Sequence, residues 1–281
     1  MKFGVHVGIG GGFAKTIAEA LAARCECIQI FAGNPRGWRT TPYDAQAWTE
    51  FAALRKKHRI APTVIHTSYL INLASSDKNL RKKSTGLVEH DLEVAALGKI
   101  EYVNTHLGSY GEQPREHGFA LVCEVLGELV GKAKPGPMLL LENSAGGGNK
   151  CGGTIEELGR FVREIKSPRI GICLDTAHLW ASGYDLSSAR GVAVVLKEIE
   201  KHIGFKRVRV LHTNDTQVVL GAKRDLHWHV AQGMIGNAGF RALLSRPELA
   251  HVACICETPK TPELDRRNVQ TLRRLAGSAK R

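Results

Sequence analysis

The chain has no C-x-x-C pair, no long block of basic residues, and no apolar run approaching the ~18 residues that a membrane helix needs. Its seven cysteines are odd in number, and Cys25/Cys27 and Cys254/Cys256 stand two apart, as on one face of a strand. They read as buried strand thiols rather than a disulfide framework or a metal site. The opening Met1-Lys2-Phe3-Gly4-Val5-His6 lacks a basic n-region and an apolar h-region, so no signal peptide is expected and the cytoplasm is the expected compartment. No internal repeat or linker divides the chain. Gly8-Ile9-Gly10-Gly11-Gly12 follows the first strand, but Phe13 stands where the last glycine of G-x-G-x-x-G belongs, so no nucleotide cofactor is expected.

What is present is an ordinary globular mix of 43% hydrophobic and 23% charged residues over 281 positions, which excludes disorder. Lys plus Arg number 39 against 27 Asp plus Glu, a net charge of +12. That balance fits a polyanionic partner, nucleic acid first, although a merely soluble basic surface would look the same. Short β-rich runs alternate with amphipathic stretches throughout. The strands predicted are Phe3–His6, Cys27–Phe31, Pro62–His66, Tyr102–His106, Met138–Glu142, Gly171–Asp175, Val208–His212 and Val252–Glu257. Helices are predicted over Thr16–Arg24, Asp44–His58, Leu87–Leu97, His117–Val130, Ile155–Ile165, Ser188–His202, Gly239–Leu244 and Glu263–Leu275. Nearly continuous apolar strands, each followed by a helix, specify an α/β fold: one (β/α)8 TIM barrel. It forms a single domain over 1–281, with a short flexible tail from about 277.

Chemistry concentrates where the strands finish. The third to eighth strands end in His66, His106, Glu142, Asp175, His212 and Glu257, which places imidazoles and carboxylates on the C-terminal rim where such barrels hold their active sites. One such residue is more often a helix cap or a satisfied structural group. Six together would be costly unless a cation is shared, and all six are nitrogen or oxygen donors that Zn²⁺ accepts. His178, three residues past Asp175 on the turn into the next helix, and Asp225 and His227 in the loop after the seventh strand bring the donors to nine. Nine exceed the needs of one ion, and clustered divalent metals are the standard apparatus of phosphoester hydrolysis.

Several strings resemble the endonuclease IV family, the zinc-dependent apurinic/apyrimidinic (AP) endonucleases of base-excision repair. They are Gly33-Asn34-Pro35-Arg36-Gly37-Trp38, His66-Thr67-Ser68-Tyr69-Leu70-Ile71-Asn72-Leu73, His106-Leu107-Gly108-Ser109 and Glu142-Asn143-Ser144-Ala145-Gly146. Cys173-Leu174-Asp175-Thr176-Ala177-His178, Ala181-Ser182-Gly183-Tyr184-Asp185, His212-Thr213-Asn214-Asp215, Asp225-Leu226-His227 and Glu257-Thr258-Pro259 complete them. The resemblance spans essentially the whole chain. It implies three zinc ions: one on His66, His106 and Glu142; a second on Glu142, Asp175, His212 and Glu257; a third on His178, Asp225 and His227. It implies hydrolysis of the phosphodiester 5′ to an abasic site in double-stranded DNA, leaving a 3′-hydroxyl and a 5′-deoxyribose phosphate. The catalytic residues are then Glu142, Asp175 and Glu257, with Glu257 orienting the nucleophile. It further implies a monomer that flips the abasic nucleotide out, with Asn34, Arg36, Trp38, Tyr69 and Leu70 at the DNA. Judged alone, Tyr69-Leu70-Ile71 reads as core packing and Trp38 as a structural anchor.

The resemblance weakens after Asp225. Leu226 replaces an Arg of the family's usual Asp-Arg-His, Ala231 replaces a glycine, and Gln232 lacks a carboxylate; His229 reads as a surface histidine. His6, ending the first strand, is a candidate to support the ligands from behind. Two other functions compete. A sugar isomerase or epimerase on the same barrel would use Glu142, Asp175, His212 and Glu257 around one ion. A DNA-binding module could have kept the scaffold and lost the reaction.

Overall fold

The computed structural model describes every residue except 41, 43, 133–135 and 278–281. All but the first residue of the expected tail therefore lies outside the described residues. Eight parallel strands close on themselves in the order β1-β2-β3-β4-β5-β6-β7-β8. They are β1 Lys2–His6, β2 Cys27–Phe31, β3 Thr63–His66, β4 Tyr102–Thr105, β5 Met138–Glu142, β6 Ile170–Asp175, β7 Val208–His212 and β8 Ala253–Cys256. The outer helices are α1 Phe13–Ala22, α2 Ala45–His58, α3 Lys78–Leu97, α4 Arg115–Lys132, α5 Ile155–Ile165, α7 Ala189–His202, α8 Gly236–Leu244 and α9 Pro262–Gly277. The expected (β/α)8 barrel is what the chain forms, with the short α6 Thr176–Ala181 added directly after β6 and 3-10 turns at Phe205–Arg207 and Pro247–Leu249 leading into β7 and β8. No described helix is long and apolar enough to cross a membrane.

Two apolar layers hold the barrel. Cys27, Val64, Leu140, Cys173, Val210, Ala253 and Ile255 fill its interior, and a larger cluster packs the outer strand faces against the helices. Side chains alternate along a strand, so the residue two places beyond each interior plug faces inward again, one layer nearer the rim. Beyond Cys27, Val64, Leu140, Cys173, Val210 and Ile255 those residues are Gln29, His66, Glu142, Asp175, His212 and Glu257. Tyr102, packed against the interior cluster, leads by the same step to Asn104 and then His106. The ladder sets some of these side by side: His6 pairs with Gln29, His66 with Asn104, and Asp175 with His212.

The boundaries depart from expectation where side chains, not apolar periodicity, decide them. β4 stops at Thr105 and β8 at Cys256, so His106 and Glu257 stand one residue past their strands. Glu257 leaves the ladder because its N–H donates to the Asn214 side chain at 2.7 Å. α3 begins nine residues before the predicted Leu87, at Lys78. Its first half is charged and lacks a period, but the Asp77 carboxylate caps it, accepting from the N–H groups of Asn79 and Leu80. Of the paired thiols, Cys27 faces the barrel interior, whereas Cys25 precedes β2 and packs in the outer layer with Cys254 and Cys256.

Candidate metal centre

The nine predicted donors form one continuous network at the C-terminal rim. Glu142, fully buried on β5, is its hub. Its Oε2 faces His66 Nε2 at 3.2 Å and His106 Nε2 at 3.7 Å, while its Oε1 faces His212 Nδ1 at 3.0 Å. His212 Nδ1 also faces Glu257 Oε2 at 3.1 Å and Asp175 Oδ2 at 3.8 Å. Beyond Asp175, His227 Nε2 stands 3.4 Å from Asp175 Oδ2 and 3.4 Å from Asp225 Oδ1, and His178 Nε2 stands 3.2 Å from that same Asp225 oxygen. Among the nine donors three overlapping groups result: His66, His106 and Glu142; Glu142, Asp175, His212 and Glu257; and Asp175, His178 and His227 with Asp225 alongside; the buried Cys173 thiol forms a further group with Glu142 and His212. Asp175 therefore leans between the second and third groups, nearer His227 than His212.

The histidine tautomers show what these groups suit. His66 Nδ1 donates to the Thr67 carbonyl at 2.7 Å, His178 Nδ1 to the Asn143 carbonyl at 2.9 Å, and His227 Nδ1 to the Glu257 carbonyl at 3.4 Å. His212 is turned the other way, its Nε2 donating to Gln29 Oε1 at 2.8 Å. In a neutral imidazole the remaining nitrogen carries a lone pair, and in all four rings it points at carboxylate oxygens or another ring nitrogen. Lone pairs converging on lone pairs repel unless positive charge lies between them. Ligands about 2.0–2.1 Å from a tetrahedral zinc sit about 3.3 Å from one another, which is the spacing found across the network. The donor set thus fits divalent metal, with no cysteine required.

The electrostatics tell the same story. Burial would raise the Glu142 carboxyl and the Glu257 carboxyl, but His106 and His212 around the first, and His212 and His66 around the second, hold both well below the usual carboxylate range. Burial disfavours a charged imidazole at His178 and His212, yet Asp175 at the former, and Cys173 and Glu257 at the latter, raise both rings well above their ordinary value. His106, where burial prevails, is pushed down to about 4. The rim is a well of negative potential whose stable filling is cationic.

A shell of amides that the donor pattern did not reveal holds the ligands in place. Gln29 Nε2 donates to Glu257 Oε1, while its Oε1 accepts from His212, so one amide fixes a carboxylate and a tautomer together. His6 supports the centre from behind, through Gln29, whose Nε2 lies 3.1 Å from His6 Nδ1, and through Phe31, which packs between the His6 and His66 rings. Asn104 Nδ2 donates to Glu142 Oε2 at 2.6 Å, and Asn214 Nδ2 to Asp175 Oδ2 at 2.7 Å. Asn143 accepts the Asp175 N–H at 2.6 Å and returns a bond to its carbonyl at 3.2 Å. The signal was an uncharged amide at an inward position of an apolar strand, or directly beside a donor. His178 sits inside α6 rather than on a bare turn, because the Asp175 carboxylate caps that helix, accepting the His178 N–H at 2.9 Å.

Above the donors opens a cleft of about 800 Å³. His66, His106, His178, Asp225, His227 and Glu257 form its floor and Tyr69, Leu70, Leu226 and Lys150 part of its walls. The Tyr69-Leu70-Ile71 segment divides: Ile71 is core, Leu70 is half-buried, and Tyr69 is 56% exposed with its ring edge-on to Phe31. The Asn34 and Tyr69 loops are stitched together, the Tyr69 N–H and Ser68 hydroxyl both donating to the Pro35 carbonyl. Asn34 Oδ1 accepts the Arg36 N–H at 3.0 Å, and the Arg36 side chain is exposed. Trp38 is 38% exposed, with Lys83 of α3 6.0 Å from its ring centre, and it does not line the cleft.

The loop after β7 corrects one expectation. His229 is only 7% exposed, packed against Trp228 and 3.3 Å from Asn268 Nδ2, because Asn268 also accepts the Val230 N–H and pins this stretch onto α9. Asp215 anchors the rest of the loop, its buried carboxylate accepting from the N–H groups of Thr216, Gly233, Ile235 and Gly236. Ala231 holds a left-handed φ of +61°, a conformation that suits the glycine it replaces.

Comparisons with known proteins agree with this architecture. Residues 17–275 match the family described as xylose isomerase-like TIM barrel. The probable endonuclease 4 of Natranaerobius thermophilus is 37% identical over 279 residues, covering 99% of this chain and 98% of its own. The crystal structure of endonuclease IV from Thermus thermophilus superposes with a TM-score of 0.88 at 36% identity, over 99% of this chain and 100% of that one. A D-tagatose 3-epimerase-like protein, at a TM-score of 0.79 but 20% identity, shares the fold. With full-length identity of that order and the rim just described, the chain belongs to the endonuclease IV family.

Proposed function

We propose that this chain is a zinc-dependent AP endonuclease of base-excision repair, acting as one catalytic domain over residues 1–281. It hydrolyses the phosphodiester 5′ to an abasic site in double-stranded DNA and leaves a 3′-hydroxyl and a 5′-deoxyribose phosphate. The observation that carries this is the unbroken net of nine donors around Glu142, larger than one ion can use, in a chain whose relatives are named endonuclease 4. His66, His106 and Glu142 would hold one zinc, Glu142, Asp175, His212 and Glu257 a second, and His178, Asp225 and His227 a third. Bound zinc supplies Lewis acidity, lowering the pKa of water and neutralising charge on a phosphodiester.

The residues themselves do the rest. Glu257 stays ionised beside His212, and its side chain, 15% exposed to the cleft, is placed to accept a hydrogen bond from the attacking water and orient it. Gln29 keeps that carboxylate from swinging away. Glu142 and Asp175, wholly buried and tied by Asn104 and Asn214, fix the spacing of the groups. Tyr69, an exposed aromatic on the cleft wall, and Leu70 beside it are suited to fill the gap left by a flipped nucleotide. Arg36 and Asn34 on the adjoining loop reach the backbone of the same duplex, with Trp38 as the anchor of that loop.

The shared barrel of the epimerase-like protein keeps a sugar isomerase as the second reading, served by Glu142, Asp175, His212 and Glu257 alone. It leaves His178, His227 and Asp225 unexplained. Incubation with a duplex carrying one abasic site decides the matter. Incision 5′ to the site, leaving an end that a DNA polymerase extends, is expected. Binding without incision at full metal load would overturn the proposal in favour of a DNA-binding module, and sugar isomerisation with one ion per chain would favour the rival.

A further inference from the structure

The cleft that must admit a polyanion is lined by histidines, by the carboxylates Asp225 and Glu257, and by a single Lys or Arg among its described lining residues, Lys150. Asp225 is followed by Leu226, 36% exposed on the same cleft, so the residue between the two loop donors offers a phosphate nothing. Lys150 is exposed, and its ammonium makes no hydrogen bond or ion pair with any described residue. Its backbone, by contrast, is held firmly. Lys150 bridges Ser109 in antiparallel fashion and its N–H donates to the Gly147 carbonyl, while the next residue, Cys151, donates to Gly108. Asn149 is fastened by its side chain to the Gly111 carbonyl and to Arg115, and by its carbonyl to the Tyr110 N–H. On the other side a Cβ at Gly147 would lie 2.4 Å from the Lys223 carbonyl, so this loop is wedged against the one that carries Asp225.

A rigid backbone carrying one unpaired cation on the wall of a cleft with no other Lys or Arg among its described lining residues is a placed charge rather than a solvated one. Resting on the function proposed above, we infer that Lys150 is a substrate-binding residue. Its ammonium contacts a backbone phosphate of the DNA flanking the scissile one, supplying at the cleft wall the positive charge that Leu226 does not. The contact is made in the bound substrate and in the transition state alike, so it acts on KM rather than kcat.

The test is steady-state cleavage of a duplex containing a tetrahydrofuran abasic analogue, across a salt series, together with fluorescence-anisotropy binding of the zinc-loaded protein to the same duplex carrying a non-hydrolysable methylphosphonate at the scissile position. Lys150→Gln is expected to raise KM roughly three- to ten-fold with kcat and zinc content unchanged, and to make the fall of log(kcat/KM) with log[salt] shallower by about 1. Lys150→Arg restores most of the affinity. Lys99→Gln, which removes the same charge in the turn before β4 at the opposite end of the barrel, behaves as wild type. Wild-type KM and salt slope in Lys150→Gln, or an equal change in Lys99→Gln, would overturn the inference. So would a loss confined to kcat. A wild-type protein that fails to incise would instead overturn the proposed function, and the anisotropy arm would still read whether Lys150 binds the duplex.

Discussion

The Nε2 atoms of His178 and His227 lie 3.3 Å apart, although each ring has its other nitrogen turned to a backbone carbonyl. Neither has a proton to offer the other in its neutral form, and the Asp225 carboxylate closes on both at 3.2 and 3.4 Å. Such a triangle is the shape of a cation site.

His227→Ala is therefore expected to remove one zinc per chain while the other two remain, and to cut incision at least about 100-fold. Elemental analysis beside the incision rate checks both. Retention of all three ions at full activity would contradict the third site.

Gln29 touches two ligands and no open cleft surface. Gln29→Leu keeps the volume but frees the His212 tautomer and the Glu257 carboxylate, so zinc affinity or activity should fall about 10- to 100-fold. Thermal melting with and without zinc separates this from misfolding: the loss should lie mainly in the zinc-dependent part of the stability.

On the proposed zinc centre, the same rim sets how metal uptake depends on pH. In the metal-free protein, burial disfavours charge on His178 and His212, but Asp175 at the first and Cys173, Glu257 and Glu142 at the second raise both well above the ordinary value. The stability these charged rings contribute is complete below about pH 6.5 and is lost as pH rises through their raised folded values. Zinc needs the neutral rings, so uptake at pH 7 must expel protons, and affinity must increase with pH until those values are passed. Proton release in weakly buffered solution, followed with an indicator dye, measures it; uptake with no release would contradict the donor assignment.

Ala231 holds a φ of +61° in the loop carrying His227. A left-handed alanine costs about 1–2 kcal/mol, of which part returns as the greater freedom of glycine in the unfolded chain. Ala231→Gly should stabilise the protein by about 0.5–1 kcal/mol in urea unfolding and leave incision intact. Destabilisation would show that the loop relaxes in some other way.

The barrel and its nine donors were legible because parallel strands buried on both faces read as apolar runs, and a polar residue ending such a run is conspicuous. Glu142, Asp175 and His212 end their strands as expected. Gln29 was hidden because it lies inside an apolar strand rather than at its end, and an amide there carries no charge to mark it. The first half of α3 was hidden for the opposite reason: its residues are charged and aperiodic, and only the Asp77 cap announces them. His229 was misread because its burial depends on Asn268, a partner on a distant helix that local pattern cannot supply. The leaning of Asp175 toward His227 is likewise a matter of three-dimensional placement.

The most direct test of a three-zinc incising centre is to strip the protein with chelator, return zinc in measured equivalents, and follow incision of an abasic duplex after each addition. Incision that vanishes on stripping and rises to a plateau at three equivalents per chain is expected. A plateau at one equivalent, or full incision by the stripped protein, would contradict it.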